Sequence, residues 1–251
     1  FMQGQLFSQD FLLRGVLDTP PWQALDDAAF APFAGAVRAL FAALPAGAPI
    51  NEAQTESLLI VPLLRALGWG DELLPQVNAD ARGRESVPDW LLFASAEHKA
   101  AALAEPRDDR RYRHGVAILE AKRWQRPLDR GDAAEVFDPD APSSQMLRYL
   151  SRVDVASDRA LKWGVLTNGA VWRLYWQDAR SRSEDFFELD LAQALALPGT
   201  QPELDAPAPA HALRLFHLFF SRDAFLPQPW DAAGRTRHQH ALNEARLYEE
   251  K

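Results

Sequence analysis

The sequence predicts an α/β fold in which helices flank a mixed β-sheet. Residues 26–44 place apolar side chains at near-helical spacing, whereas residues 116–124 form an apolar run typical of a central strand. Asn168-Gly169, between two further apolar runs, is a typical hairpin signal. The predicted order is helix, three strands, helix and further strands, which indicates an α/β sandwich around one mixed sheet.

The chain is predicted to begin with helical segments. Residues 5–25 read as a short entry segment, followed by the helix over 26–44. The next helix covers 51–67, since Asn51 suits its N-cap and Gln54 occupies the capping-box position. Gly68 is a suitable residue to end it.

The remaining elements follow from short apolar runs and helical patterns. Strands are predicted over residues 73–77, 87–93, 116–124, 163–167, 171–177 and 186–191. Helices are predicted over 94–105, 143–155 and 210–225, with the start of another over 241–251. The helix over 94–105 lies in an insertion between the second and third strands.

Composition narrows the class of protein. The chain has 251 residues, 47% of them hydrophobic and 25% charged, which suits a globular protein with one substantial core. We expect a cytoplasmic protein without membrane contact, because no apolar run reaches the ~18–20 residues needed to span a bilayer and no secretory signal is recognisable. Without cysteine, the chain has neither a disulfide nor a thiolate zinc site.

The net charge of −8 argues against a free-standing, high-affinity nucleic-acid binder. The basic residues are nevertheless concentrated around the third predicted strand. They precede it as Arg107, Arg110, Arg111 and Arg113 and follow it as Lys122, Arg123, Arg126 and Arg130. Such a stripe can hold DNA, although the cluster before the strand is equally typical of a solvated loop.

Two short motifs carry the candidate chemistry. Asp89 follows Pro88 in the second predicted strand, and Glu120-Ala121-Lys122 ends the third. If these strands pair, Asp89, Glu120 and the Ala121 carbonyl can hold Mg²⁺, for which Mn²⁺ would substitute. Such a metal activates water, and Lys122 would orient that water or offset charge in the transition state. The alternative is that Glu120 and Lys122 form an ordinary pair on one face of a strand.

These motifs resemble the PD-(D/E)xK nuclease superfamily, whose restriction-endonuclease-like core has the order αβββαβ. With segments 51–55, 62–69, 145–149 and 167–172, the chain resembles the N-terminal nuclease domain of type IIG restriction–modification enzymes or a related phage-defence protein. The resemblance implies a helical extension over 1–45, a nuclease core over 46–197, and a linker with a connector helix over 198–251.

The resemblance also implies roles for residues outside the two motifs. Glu52, on the helix before the sheet, would complete the metal shell, with Glu56 as the alternative. Gln145 would approach the active site or the DNA backbone. The residues expected to contact DNA are Arg84, Arg123, Arg126, Arg148 and Tyr149.

The expected activity is Mg²⁺-dependent endonucleolytic cleavage of double-stranded DNA in a prokaryotic restriction–modification or phage-defence system. Methyltransferase and target-recognition domains, absent from this chain, are the expected partners, and a transient dimer on DNA is expected for cutting two strands. Two alternatives stay open. One is a non-catalytic, nuclease-like module that binds DNA or holds domains together, and the other is the nuclease domain of a type I restriction motor subunit.

Overall fold

A seven-stranded mixed sheet forms the centre of the computed structural model, which describes residues 2–45, 50–77, 87–130, 141–198, 200 and 208–249. The strands are Met2–Gln3 (β1), Leu73–Pro75 (β2), Trp90–Phe93 (β3), Gly115–Ala121 (β4), Trp163–Thr167 (β5), Val171–Trp176 (β6) and Phe186–Asp190 (β7). Their order in the sheet is β1-β7-β6-β5-β4-β3-β2. Strands β4 and β5 are parallel, and all other neighbours are antiparallel.

Helices cover both faces of this sheet, so the predicted α/β class with a mixed sheet flanked by helices is confirmed. They are Gln9–Leu13 (α1), Pro20–Ala24 (α2), Asp27–Ala42 (α3), Glu52–Thr55 (α4), Val61–Ala66 (α5), Ala96–Ala104 (α6), Pro142–Ala156 (α7), Leu191–Ala194 (α8), Pro209–Phe220 (α9) and Arg237–Glu249 (α10). Within the described ranges, no helix is long and apolar enough to cross a membrane.

The two faces of the sheet pack against two different cores. Leu119 and Ala121 of β4 belong to the larger core, which includes side chains from the first and last helices. Ile118 of the same strand belongs to the smaller core beneath α7. Because successive side chains of a strand alternate between faces, Glu120 lies on the face of the smaller core.

The predicted helix over 51–67 forms, but it is not regular. Asn51 and Gln54 make the reciprocal capping-box bonds, and Gly68 follows the last turn with φ +83°. A π-helical turn over Glu56–Ile60 separates α4 from α5. Turns of this kind insert an extra residue and are frequent at functional sites.

Several strands are shorter than predicted. The second strand begins at Trp90, which leaves Asp89 just outside it, and the third ends at Ala121 rather than at 124. The Lys122 N–H still donates to the Thr167 carbonyl of β5, and two residues later the Trp124 N–H donates to Thr55 Oγ1 at 2.8 Å instead of to the sheet. The hairpin between β5 and β6 is confirmed, with Asn168 Oδ1 accepting from the Val171 N–H at 2.7 Å.

Burial of His238 makes the stability of the fold depend on pH. Its Nε2 lies 2.7 Å from the Phe219 carbonyl, its buried Nδ1 has no partner in the described part of the chain, and its ring contacts Trp163 and Phe225. Burial lowers the pKa of His238 from 6.5 to about 3. Below pH 6.5 this imidazole is protonated in the unfolded chain but stays neutral in the folded chain. The free energy of unfolding therefore decreases as the pH falls below 6.5.

We expect His238→Gln to have a lower free energy of unfolding than wild type at pH 7.5. The difference between the two proteins should shrink as the pH falls. Glutamine keeps an N–H donor but does not titrate, whereas wild type loses about 1.4 kcal/mol between pH 7.5 and 5.5 through His238. Urea unfolding of both proteins at each pH measures the difference. A gap in unfolding free energy that stays constant with pH would contradict this account.

Candidate active site

The structure brings Asp89, Glu120 and Lys122 into one cluster where β3 and β4 meet. The antiparallel register pairs Trp90 with Leu119, which sets Asp89 opposite Glu120. Lys122 Nζ donates to Glu120 Oε1 at 2.5 Å, and the Ala121 N–H donates to Asp89 Oδ2 at 2.8 Å. The Asp89 N–H lies 3.3 Å from Glu120 Oε2. Each carboxylate is thus oriented by the backbone of the other residue's strand.

Burial raises the free-energy cost of the negative charges in the cluster. Glu120 is only 2% exposed and Lys122 only 7%. Desolvation, followed by the charge of Asp89, raises the pKa of Glu120 to about 7, although Lys122 acts in the opposite direction. Desolvation likewise raises the pKa of Asp89. One ammonium group does not fully compensate the buried carboxylate of Glu120 and the half-buried carboxylate of Asp89, so the cluster favours additional positive charge.

The donor set suits a hard divalent cation. Asp89 and Glu120 provide carboxylate oxygens, the ligands that Mg²⁺ and Mn²⁺ prefer. Over the described ranges, no three acidic or histidine side chains are arranged to hold a metal ion together. Because Mg²⁺ is commonly held by one or two carboxylates, with water and substrate phosphate as further ligands, two carboxylates are sufficient for such a site.

Glu52 and Glu56 approach the cluster from the preceding helix. Both are half-buried, and the charge of Glu52 raises the pKa of Asp89 and of Glu56. Burial and then Asp89 raise the pKa of Glu56, while the nearby Trp90 indole lowers it. Both candidate glutamates therefore belong to the electrostatic environment of Asp89, and neither joins Asp89 and Glu120 in a metal-binding group of three among the residues described.

Gln145 and Tyr149 face the cluster from α7. Gln145 Nε2 donates to the Tyr149 hydroxyl at 2.7 Å, as expected for side chains one helical turn apart. Tyr149 is buried, and desolvation together with the charge of Glu120 raises its pKa to about 12. Its phenol is therefore neutral near pH 7, with its hydroxyl held beside the acidic cluster.

The predicted DNA-contacting arginines have different surroundings. Arg123 and Arg148 are exposed, whereas Arg126 is half-buried. Arg84 lies outside the described residues. The basic stretch before β4 is largely paired with acidic residues. Arg107 bonds Asp109 and Arg111 bonds Asp108 within the stretch, and Arg113 bonds Asp158 beyond α7.

Sequence reasoning missed two features next to the cluster. Thr55 fixes the backbone after Lys122 through Trp124, and Arg173 forms a buried ionic network with Asp129 and Glu188. An arginine inside the otherwise apolar and aromatic run over 171–176 is the signal that identifies the second feature. The contacts of Thr55 leave no comparable signal in the sequence.

Comparison of the chain with protein-family models, with curated proteins and with solved structures finds no match.

Calorimetric titration with Mn²⁺ tests the cluster as a metal site. Wild type is expected to bind Mn²⁺ about tenfold more weakly at pH 6 than at pH 8, because Glu120, with its pKa near 7, must lose its proton to bind metal. Asp89→Asn is expected to weaken binding at both pH values, whereas Asp178→Asn, at an exposed ion pair with Lys162, serves as the matched control. Unchanged affinity in Asp89→Asn would remove Asp89 from the metal shell.

Proposed function

We propose that this chain is a Mg²⁺-dependent DNA endonuclease domain that hydrolyses phosphodiester bonds. The observation that carries the proposal is the pair of desolvated carboxylates, Asp89 and Glu120, with the Lys122 ammonium 2.5 Å from one of them. This combination supplies ligands for a hard cation and a fixed positive charge beside it, which are the requirements of metal-assisted phosphoryl transfer.

The arrangement of elements supports the finer fold proposal. In chain order, the helical segment 52–66 is followed by β2, β3 and β4, then by α7, and then by β5 parallel to β4. This order agrees with the αβββαβ core of restriction-endonuclease-like proteins. The proposed catalytic residues lie at the β3–β4 pair, where that core carries its acidic motif.

Each residue has a defined role in the proposed reaction. When bound, Mg²⁺ would supply Lewis acidity and lower the pKa of water. Asp89 and Glu120 would hold the cation, and the Ala121 N–H keeps the Asp89 carboxylate in place. Lys122 is held at the site by Glu120 and stabilises negative charge that develops on the phosphate. The Tyr149 hydroxyl, fixed by Gln145, is available to donate to a phosphate oxygen.

Double-stranded DNA is the proposed substrate, and Arg123, Arg126 and Arg148 are the proposed phosphate contacts. The overall charge of −8 implies weak binding by this chain alone, because phosphate neutralisation supplies most non-specific affinity. We therefore propose that sequence specificity comes from methyltransferase and target-recognition domains of a larger restriction–modification or phage-defence protein. A transient dimer would place two sites on opposite strands.

A second candidate function is a nuclease-like module that binds DNA or holds domains together without cleaving. The specific observation in its favour is that Lys122 already occupies Glu120 Oε1, while the backbone of the Ala121 residue occupies Asp89 Oδ2. A scaffold of this kind needs no metal. It would, however, retain a buried carboxylate at Glu120 and a half-buried one at Asp89, both costly to desolvate, without a chemical use.

Plasmid cleavage distinguishes the two functions. Wild type is expected to nick and linearise supercoiled plasmid in Mg²⁺ or Mn²⁺, and Glu120→Gln to lose at least ~1,000-fold in rate because it cannot hold the cation. Lys122→Met is expected to lose about 100-fold or more while still binding Mn²⁺, since its charge acts on the transition state.

Two variants control for the loss of charge. Glu184→Gln and Lys162→Gln change exposed or partly exposed groups elsewhere and should cleave as wild type does. Cleavage by Glu120→Gln at the wild-type rate would contradict the proposed endonuclease. Metal binding without cleavage by wild type would favour the scaffold.

A further inference from the structure

A buried arginine lies beside the loop that follows Lys122. Arg173 of β6 is 2% exposed. Its Nη1 and Nη2 donate to the two carboxylate oxygens of Asp129 at 2.6 and 2.8 Å, and its Nε donates to Glu188 Oε2 at 2.6 Å. The Tyr175 hydroxyl is 3.0 Å from Nη1, and the Phe186 ring lies 4.1 Å from the guanidinium carbon. Every part of the guanidinium is therefore engaged.

The two carboxylates that bind Arg173 are not equivalent. Glu188 is directly opposite Arg173 in the β6–β7 pair, and its side chain is only 8% exposed. This neighbour already compensates the buried cation within the sheet. The Asp129 side chain is 63% exposed and comes from a loop, and its paired bonds fix both its distance and its orientation. Asp129 also stabilises the buried guanidinium, and because it comes from an exposed loop, its paired bonds tie that loop to the sheet.

The 123–130 loop is fixed along its whole length. Its contacts, from start to end, are Trp124 N–H to Thr55 Oγ1, Asn168 Nδ2 to the Arg126 carbonyl, Ser143 N–H to the Leu128 carbonyl, and Arg173 to Asp129. The first three hydrogen bonds are each 2.8 Å long. The last contact joins the end of the loop to the sheet.

The loop also places positive charge at the surface. Arg123 and Arg130, at its two ends, are exposed, and neither forms an ion pair with any residue that the structure describes. Glu120, Leu166 and Arg173 occupy one row across β4, β5 and β6. With strands about 4.8 Å apart, Arg173 is about 10 Å from Glu120, or about three base-pair steps of about 3.4 Å along the axis of a DNA duplex.

We propose that the Arg173–Asp129 pair is a positioning device that holds the 123–130 loop so that Arg123 and Arg130 contact DNA phosphates beside the cleaved bond. Arg173 and Asp129 themselves do not touch the DNA. The inference rests on the proposed function, since it assigns a substrate-binding strip to the same site. It adds Arg130 as a phosphate contact and assigns Arg173 and Asp129 positioning roles.

Asp129→Asn tests the proposal through the sign of its effect. If Asp129 acted only through its charge, its removal would strengthen binding to a polyanion. If it positions the loop, the loss of the paired bonds weakens binding instead, because Arg123 and Arg130 no longer hold their places. Asp158→Asn is the matched control, since it removes the same charge from an exposed ion pair with Arg113.

Binding to a DNA duplex is measured in EDTA, with the dependence of affinity on salt, for wild type, both variants and Arg123→Gln/Arg130→Gln. We expect Asp129→Asn to bind about 5–10-fold more weakly and to lose about one to two phosphate contacts from the salt dependence. Its cleavage rate at saturating DNA in Mg²⁺ should stay within about twofold of wild type. The double variant should reproduce the weaker binding without faster amide exchange in the loop, whereas Asp129→Asn should accelerate that exchange.

Equal or tighter DNA binding by Asp129→Asn would overturn the proposal, as would unchanged amide exchange over 123–130. A slower saturated rate with unchanged affinity would also overturn it, because Asp129 would then act on the chemical step. Wild type that binds DNA but never cleaves it would contradict the proposed endonuclease alone, and the comparison of affinities would still decide the positioning role. Wild type without measurable affinity for DNA would overturn both.

Discussion

The buried carboxylate of Glu120 is the group around which the rest of the site is arranged. It lies on the smaller-core face of β4, where water cannot solvate it, and Lys122 only partly offsets the cost. Asp89 adds a second carboxylate across the β3–β4 register. A bound divalent cation would offset this repulsion, because both carboxylates would coordinate it.

The sheet and the flanking helices fix this cluster from several directions. The Lys122 N–H donates to the Thr167 carbonyl at 2.8 Å, so the parallel β4–β5 pair sets where β4 ends. Thr55, on the helix that carries Glu52 and Glu56, fixes the next turn through Trp124. Hydrogen bonds thus link the helical segment 52–66, strand β4 and the 123–130 loop.

Local patterns were sufficient to predict much of this structure. The capping box at Asn51, the hairpin at Asn168 and the apolar run of β4 are encoded by neighbouring residues, and the Asp89–Glu120 pair follows once adjacent strands are assumed. The π-helical turn over Glu56–Ile60 and the edge strand Met2–Gln3 depend on distant partners and were not predicted. The Asp129–Arg173 contact joins residues 44 positions apart, and the periodicity of apolar residues in the sequence does not predict such long-range contacts.

Anomalous diffraction from crystals grown with Mn²⁺ locates the cation without relying on activity. We expect one strong peak within ligand distance of both Asp89 and Glu120, with Lys122 displaced from its direct contact with Glu120 Oε1 or sharing that carboxylate with the metal. Crystals in which both carboxylates keep their present hydrogen bonds and no peak lies near them would contradict the assignment of this cluster as a metal-dependent active site.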